Sequence, residues 1–141
     1  IMQKIPDITL FLNPCHNSYD RLGGNKAPGY ISWSSENRSQ LIRIPAAEGE
    51  YRRAELRSPD STANPYLAFA ALIYAGLHGI EWELPLPEPA DVNLHTAPPE
   101  VLEQYQKLPT TLASAQCMMV FSEFVQEHFP KELISAYCSQ V

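Results

Sequence analysis

No arginine lies beyond Arg57, and the two lysines of that part of the chain, Lys107 and Lys131, stand against ten acids. So acidic a segment repels phosphate backbones and anionic membrane surfaces, which excludes nucleic-acid and membrane-surface binding. Cysteine is scarce as well. Cys15, Cys117 and Cys138 share no CxxC or Cys/His ligand spacing, and an odd count suits reduced thiols, buried or incidental, in a cytoplasmic protein. Long hydrophobic runs are missing: the longest, Tyr66 to Leu77, is too short to span a bilayer and reads as a core helix. No signal peptide is legible, and the start at Ile1 reads as a cut. There is no internal repeat, glycine-rich phosphate loop, HExxH or Ser/His/Asp arrangement. His16, His78, His95 and His128 stand singly and read as surface or capping residues.

What remains is an ordinary globular composition. The 141 residues are one domain's worth, 45% hydrophobic and 18% charged, enough to bury a core and too apolar for disorder. The net charge of -6 hides a division, because eight Lys/Arg face six Asp/Glu up to Arg57. That excess is too mild for a nucleic-acid footprint, so small anions are the expected partner.

The arginines concentrate this expectation. Arg21, Arg38, Arg43, Arg52, Arg53 and Arg57 all lie in or just before the stretch from Asn37 to Asp60. Lysine serves solubility equally well, whereas guanidinium grips carboxylates and phosphates with a planar fork. A strand from Arg53 to Arg57 would put Arg53, Glu55 and Arg57 on one face and Ala54 and Leu56 on the other. A carboxylate set between arginines is either their ion-pair partner or a ligand for a hard cation that accompanies phosphates. The stretch reads as an anion site.

Along the chain, Pro6 fits the first turn of a short helix that Asn13-Pro14 stops, and Cys15 to Asp20 should be irregular. Leu22 to Gly29 is a glycine- and proline-bearing loop, either a plain connection or a lid. Tyr30–Ser34, Leu41–Ile44 and Arg52–Arg57 read as strands joined by short links, which favours an antiparallel sheet; Arg38 reaches the side of Arg43 only if it precedes the regular strand. Asn64-Pro65 caps a helix predicted to run to about His78, with Gly79 as its stop and Tyr66, Phe69, Ile73 and Leu77 as a buried face against the back of the sheet. The proline-rich Leu84 to Pro99 should be an extended surface connection. A short helix from Pro99 to about Lys107, a second opened by Pro109-Thr110-Thr111 that carries Leu112, Met119, Val120, Phe124 and Val125, and a last turn or two from Pro130 through Tyr137 complete the reading.

Several of these stretches resemble a known family. Asn13-Pro14, Asn17-Ser18-Tyr19-Asp20-Arg21-Leu22, Asn37-Arg38-Ser39, Ile42-Arg43-Ile44-Pro45, Arg53-Ala54-Glu55-Leu56-Arg57-Ser58-Pro59-Asp60 and Ala63-Asn64-Pro65-Tyr66-Leu67 resemble, in order and nearly in spacing, the C-terminal part of the glutamine synthetase catalytic domain. The later Leu108-Pro109 followed by a helix is similar too, so the likeness covers most of the chain. The fold it implies is α+β, an antiparallel β-sheet backed by helices. Residues 1–141 would be the C-terminal portion of that domain, without the N-terminal domain and the first part of the catalytic domain.

The resemblance implies an ATP-dependent ligase that phosphorylates the γ-carboxylate of glutamate and lets ammonia displace the phosphate. By position, Arg21 and Arg57 would hold the glutamate carboxylates, Arg38 would meet the transferring phosphoryl group, Arg43 and Arg53 would neutralise ATP phosphates, and Glu55 would ligate a divalent metal, Mg2+ or Mn2+. Phosphoryl transfer is largely positioning and charge neutralisation, which several fixed cations supply. The family forms rings, so a homo-oligomer or a partner chain is expected. One residue departs from the pattern. The family's loop carries a glutamate before Ala-Pro that closes over the substrate and takes a proton from ammonium, whereas Lys26 precedes Ala27-Pro28 here. A cation there repels ammonium and cannot replace that base. The upstream metal ligands of the family are not among these residues either, so the isolated chain is expected not to turn over. Two alternatives stay open: a γ-glutamyl ligase for another amine, and a non-catalytic anion-binding or subunit-interaction module.

Overall fold

Prolines and side-chain caps set most of the helix starts. The computed structural model describes residues 1–24 and 26–139, so Asn25 of the predicted loop and the last two residues of the chain lie outside the described residues. In chain order the elements are α1 (Ile5–Leu12), α2 (His16–Arg21), β1 (Trp33–Ser34), β2 (Ile42–Arg43), a 3-10 turn (Gly49–Tyr51), β3 (Glu55–Leu56), α3 (Pro65–Glu81), α4 (Pro99–Leu102), α5 (Leu112–Phe121), α6 (Glu123–His128) and α7 (Lys131–Cys138). Pro6 sits in the first turn of α1 and Pro65 opens α3, where a missing N–H costs nothing. Asn64 caps α3 by accepting from the backbone N–H groups of Tyr66 and Leu67 at 3.0 and 3.4 Å. Among the described residues no helix is long and apolar enough to cross a membrane.

The chain divides into two units. The first is helical and holds Ile1–Tyr19, Pro59–Pro85 and the described residues from Pro109 on. Its centre is α1, whose Ile5, Ile8, Leu10, Phe11 and Leu12 are all buried. A helix apolar on every side must be wrapped by others, and α1 packs on α3, α5 and α6. The Phe11 ring lies 4.7 Å from that of Phe129 and 5.0 Å from that of Tyr137, within the range of favourable offset and edge contacts. Tyr19 is buried and donates to the Asn13 carbonyl at 2.8 Å; burial, reinforced by nearby Cys15, raises its pKa well above the usual tyrosine value.

Several expectations fail in this unit, each for a local reason. The stretch expected to be irregular before Asp20 forms α2, with the Ser18 hydroxyl accepting from the Cys15 backbone N–H in place of a strong sequence cap. On α3 the buried face is Ala68, Ala71 and Ala75, and the aromatic stripe is solvent-facing, with Tyr66, Phe69 and Ile73 exposed by 85, 65 and 60%. Alanines let two helix axes approach closely, and α3 packs on α1 within this unit. Nor does Gly79 end α3, which runs to Glu81. Glu83 adopts the left-handed φ of 46° instead, and the Leu84 N–H closes the end on the Gly79 carbonyl at 3.0 Å. The helix expected to run on from Leu112 to Val125 is two, because Ser122 ends α5 and caps α6 through the Val125 N–H. Likewise α4 stops at Leu102, short of Lys107.

The second unit holds Asp20–Ser58 and Leu86–Leu108 around a sheet of order β1-β2-β3. Mixed helix and sheet bear out the α+β class, but the sheet is not wholly antiparallel. β2 and β3 pair antiparallel with Arg43 opposite Glu55, whereas β1 and β2 run parallel with Trp33 opposite Ile42. Parallel neighbours need the chain to double back, and residues 35–41 do this through a tight turn in which Asn37 Oδ1 accepts from the Ser39 backbone N–H and hydroxyl, both at 2.9 Å. The proline-rich stretch is irregular, as predicted, yet firmly held. Buried Gln40 donates to the carbonyls of Ala90 and Val92 at 2.8 and 2.7 Å, Ser39 Oγ accepts from the Leu94 N–H, and Trp33 Nε1 donates to the Pro87 carbonyl.

Truncating Phe11 to alanine is expected to lower the unfolding free energy by about 3–5 kcal/mol, while Phe69→Ala changes it by less than about 0.5 kcal/mol. Urea denaturation of the two variants checks the assignment of core and surface, and the reverse order would refute it.

Candidate functional site

The antiparallel pairing of β2 with β3 is what assembles the site. It sets Arg43 across from Glu55 on one face, and alternation along the chain brings Arg57 to the same face as Glu55. The Glu55 carboxylate is shared: Oε2 lies 3.0 Å from Arg43 Nη1 and Oε1 lies 3.1 Å from Arg57 Nε. The two arginine side chains are only 20 and 13% exposed and Glu55 is 39% exposed. Of the two roles left open for Glu55 by the sequence, ion-pair partner is the one its geometry displays.

Arg57 also reaches the loop. Its Nη2 donates to the Lys26 backbone carbonyl at 2.8 Å, which fixes the loop on strand β3 through main chain and leaves the Lys26 ammonium exposed. The base of the loop is narrow, since Gly23 has a φ of 80° and a Cβ added to Gly29 would stand 2.9 Å from the Gly23 Cα. Ala27 N–H to the Gly24 carbonyl at 2.9 Å closes the tip. Arg21, at the end of α2, donates from Nη2 to the Ser58 carbonyl. Asp20, Arg21, Gly24, Lys26, Ala27, Glu55 and Arg57 together line a pocket of about 680 Å³, a size suited to a small-molecule ligand.

The structure thus brings Arg21, Lys26, Glu55 and Arg57 to one pocket and joins Arg43 to it through Glu55. Arg38 and Arg53 are exposed and do not line it; Arg53 Nη1 donates to the Tyr51 carbonyl at 3.3 Å. Two guanidinium N–H groups, Arg57 Nη1 and Arg43 Nε, are buried without a hydrogen-bond partner among the described residues. Such donors are costly unless an acceptor completes them, and an anion's oxygens are the natural acceptor. Sequence reasoning missed Asp20 as a wall residue and Gln40 as the clamp on the proline-rich segment. A lone acid near the end of the short helix α2 carries no pattern, while Gln40 beside the Asn37-Arg38-Ser39 motif was a polar residue at a strand entry that had to be paired if buried.

A metal is a poorer fit. Among the described residues no group of three or more His, Cys, Asp or Glu side chains converges on a point, and both oxygens of Glu55 already face guanidinium groups. A hard cation takes about six oxygens, so these residues do not build a metal site by themselves.

Residues 1–140 match the family model described as "Glutamine synthetase, catalytic domain". The chain is 45% identical over 140 residues to a glutamine synthetase of Methanosarcina mazei, covering 97% of this chain and 31% of that protein. It is 39% identical over 140 residues to one of Methanocaldococcus jannaschii, with the same coverage, and 42% identical over 130 residues to one of Staphylococcus aureus, covering 90% of this chain and 29% of that one. The chain therefore spans under a third of the length of these curated relatives.

Replacing Glu55 with alanine would leave two half-buried guanidinium groups facing each other. The unfolding free energy should drop by about 1–3 kcal/mol, between the values for exposed and buried pairs. Added salt should recover part of the loss, since screening weakens the remaining repulsion. A variant as stable as the parent in urea would show that the ion pairs do not hold the site together.

Proposed function

This chain belongs to the glutamine synthetase catalytic-domain family, and from that premise we propose that it supplies the anion-gripping face of an ATP-dependent ligase forming an amide on the γ-carboxylate of glutamate. In this reading residues 1–141 are the C-terminal portion of the catalytic domain. Arg21 and Arg57 hold the glutamate carboxylates, Arg38 meets the transferring phosphoryl group, and Arg43 and Arg53 neutralise ATP phosphates. The observation that carries the reading is the shared pocket of Arg21 and Arg57, where Arg57 keeps a buried N–H without an acceptor among the described residues.

The chemistry divides into two displacements. A γ-carboxylate oxygen attacks the terminal phosphorus of ATP, the bond to the bridging oxygen breaks, and ADP leaves. The amine nitrogen then attacks the γ-carbonyl carbon, the carbon–oxygen bond to the phosphoryl group breaks, phosphate leaves with the electron pair, and the surplus proton of the nitrogen passes to solvent. Both steps gather negative charge that rigid cations stabilise better than water does, because they need no reorganisation at the moment of reaction. The Glu55 ion pairs supply that rigidity by fixing the forks of Arg43 and Arg57.

Glu55 is also proposed as the one carboxylate this chain offers a divalent cation, Mg2+ or Mn2+, with the other ligands contributed from outside these residues. Turnover accordingly needs a homo-oligomer, a partner chain or further sequence, and the isolated chain is proposed to bind without reacting. Free glutamate and ATP and three cysteines that form no disulfide among the described residues suit the cytoplasm, which is the proposed location.

Calorimetric titration of the chain with glutamate tests the reading. Saturable binding is expected, weakened about tenfold by Arg57→Lys, which keeps the charge but loses the planar fork. Absence of binding at millimolar glutamate, or an affinity indifferent to Arg57, would overturn it.

A further inference from the structure

Three cations, Arg21, Lys26 and Arg57, line the pocket against two acids, Asp20 and Glu55. The balance is more one-sided than that count, because both oxygens of Glu55 are engaged by Arg43 and Arg57. Among the described residues Lys26 has no ion-pair partner, and the loop glycines and the Arg57 bond to its carbonyl fix the root of its side chain beside the pocket. If Arg21 and Arg57 hold the two carboxylates of glutamate, Lys26 is the remaining cation on the wall of the same pocket, within which the group joined to the γ-carboxylate is to be accommodated.

A positive charge there acts on the acceptor in two ways. It disfavours any acceptor that is itself a cation, which includes ammonium and polyamines, and it favours one carrying an anionic group. It also favours the neutral form of the attacking amine over its protonated form, and only the neutral form has the lone pair that bonds to carbon. We infer that the acceptor at this site is an amine bearing its own carboxylate, that is, an amino acid, with Lys26 as the residue that selects it. The product would be a γ-glutamyl amino acid: the acceptor nitrogen bonds to the γ-carbonyl carbon, phosphate departs with the electrons of the broken carbon–oxygen bond, and the surplus proton of the nitrogen passes to solvent. The inference rests on reading the pocket as the glutamate site.

The test uses the intact chain and three product probes at one ionic strength: γ-glutamylglycine, glutamine and γ-glutamylputrescine. By calorimetry γ-glutamylglycine should bind about fivefold more tightly than glutamine, the worth of one partly solvated ion pair, and γ-glutamylputrescine more weakly than either. Lys26→Gln, a change at an exposed position, should abolish the preference, and Lys26→Arg should keep it. Equal affinities for γ-glutamylglycine and glutamine, or a preference that Lys26→Gln leaves intact, would overturn the inference while the glutamate site stands. Tightest binding of γ-glutamylputrescine would overturn it in favour of a polyamine acceptor. If none of the three binds, glutamine included, the glutamate-site reading fails and takes the inference with it.

Discussion

One carboxylate, that of Glu55, holds the second unit's chemistry together. Arg43 and Arg57 project from neighbouring strands onto the same face, and two guanidinium groups so placed repel each other unless an anion lies between them. Glu55 is that anion, with one oxygen for each. Arg57, once fixed, becomes the anchor of the Gly23–Gly29 loop through the Lys26 carbonyl. Register, ion pair and loop placement are thus successive consequences of a single cross-strand pairing. A one-residue slip of β3 would send Glu55 to the other face and undo all three.

Much of this was legible in the sequence because it depends on residue chemistry at short range. The crowding of arginine up to Arg57, and the alternation that places Glu55 and Arg57 together, needed no knowledge of distant contacts. Asn64-Pro65 signalled the start of α3 by a cap that works within three residues. The failures share the opposite cause. Whether the stripe of Tyr66, Phe69 and Ile73 or the stripe of Ala68, Ala71 and Ala75 is buried depends on what α3 meets, and a nearly uniform apolar helix gives no direction. The parallel pairing of β1 with β2 hinges on side-chain turns by Asn37 and Ser39, which short-link statistics do not register. Glu83 in a left-handed conformation replaces a glycine that stood four residues earlier, because the turn at that end of the helix outweighs the preference of one residue.

The two units divide structural and chemical work. In the first, α1 is buried on every side and supplies most of the large side chains that are fully buried. In the second, the sheet is three strands of two residues each, too little ladder to be stable alone. Gln40, Trp33 and Ser39 compensate by tying the proline-rich segment to it with four hydrogen bonds. A site built on so small a sheet depends on polar ties of this kind, which explains buried glutamine and serine where hydrophobic residues are the norm.

The most direct measurement of the central claim is a map of where glutamate binds, from amide proton–nitrogen correlation spectra of the chain during a titration. The account predicts shifts concentrated at Arg21, Gly24, Lys26, Ala27, Glu55 and Arg57, with the helical unit around α1 unmoved. Shifts scattered over the surface, or gathered on another face, would contradict it.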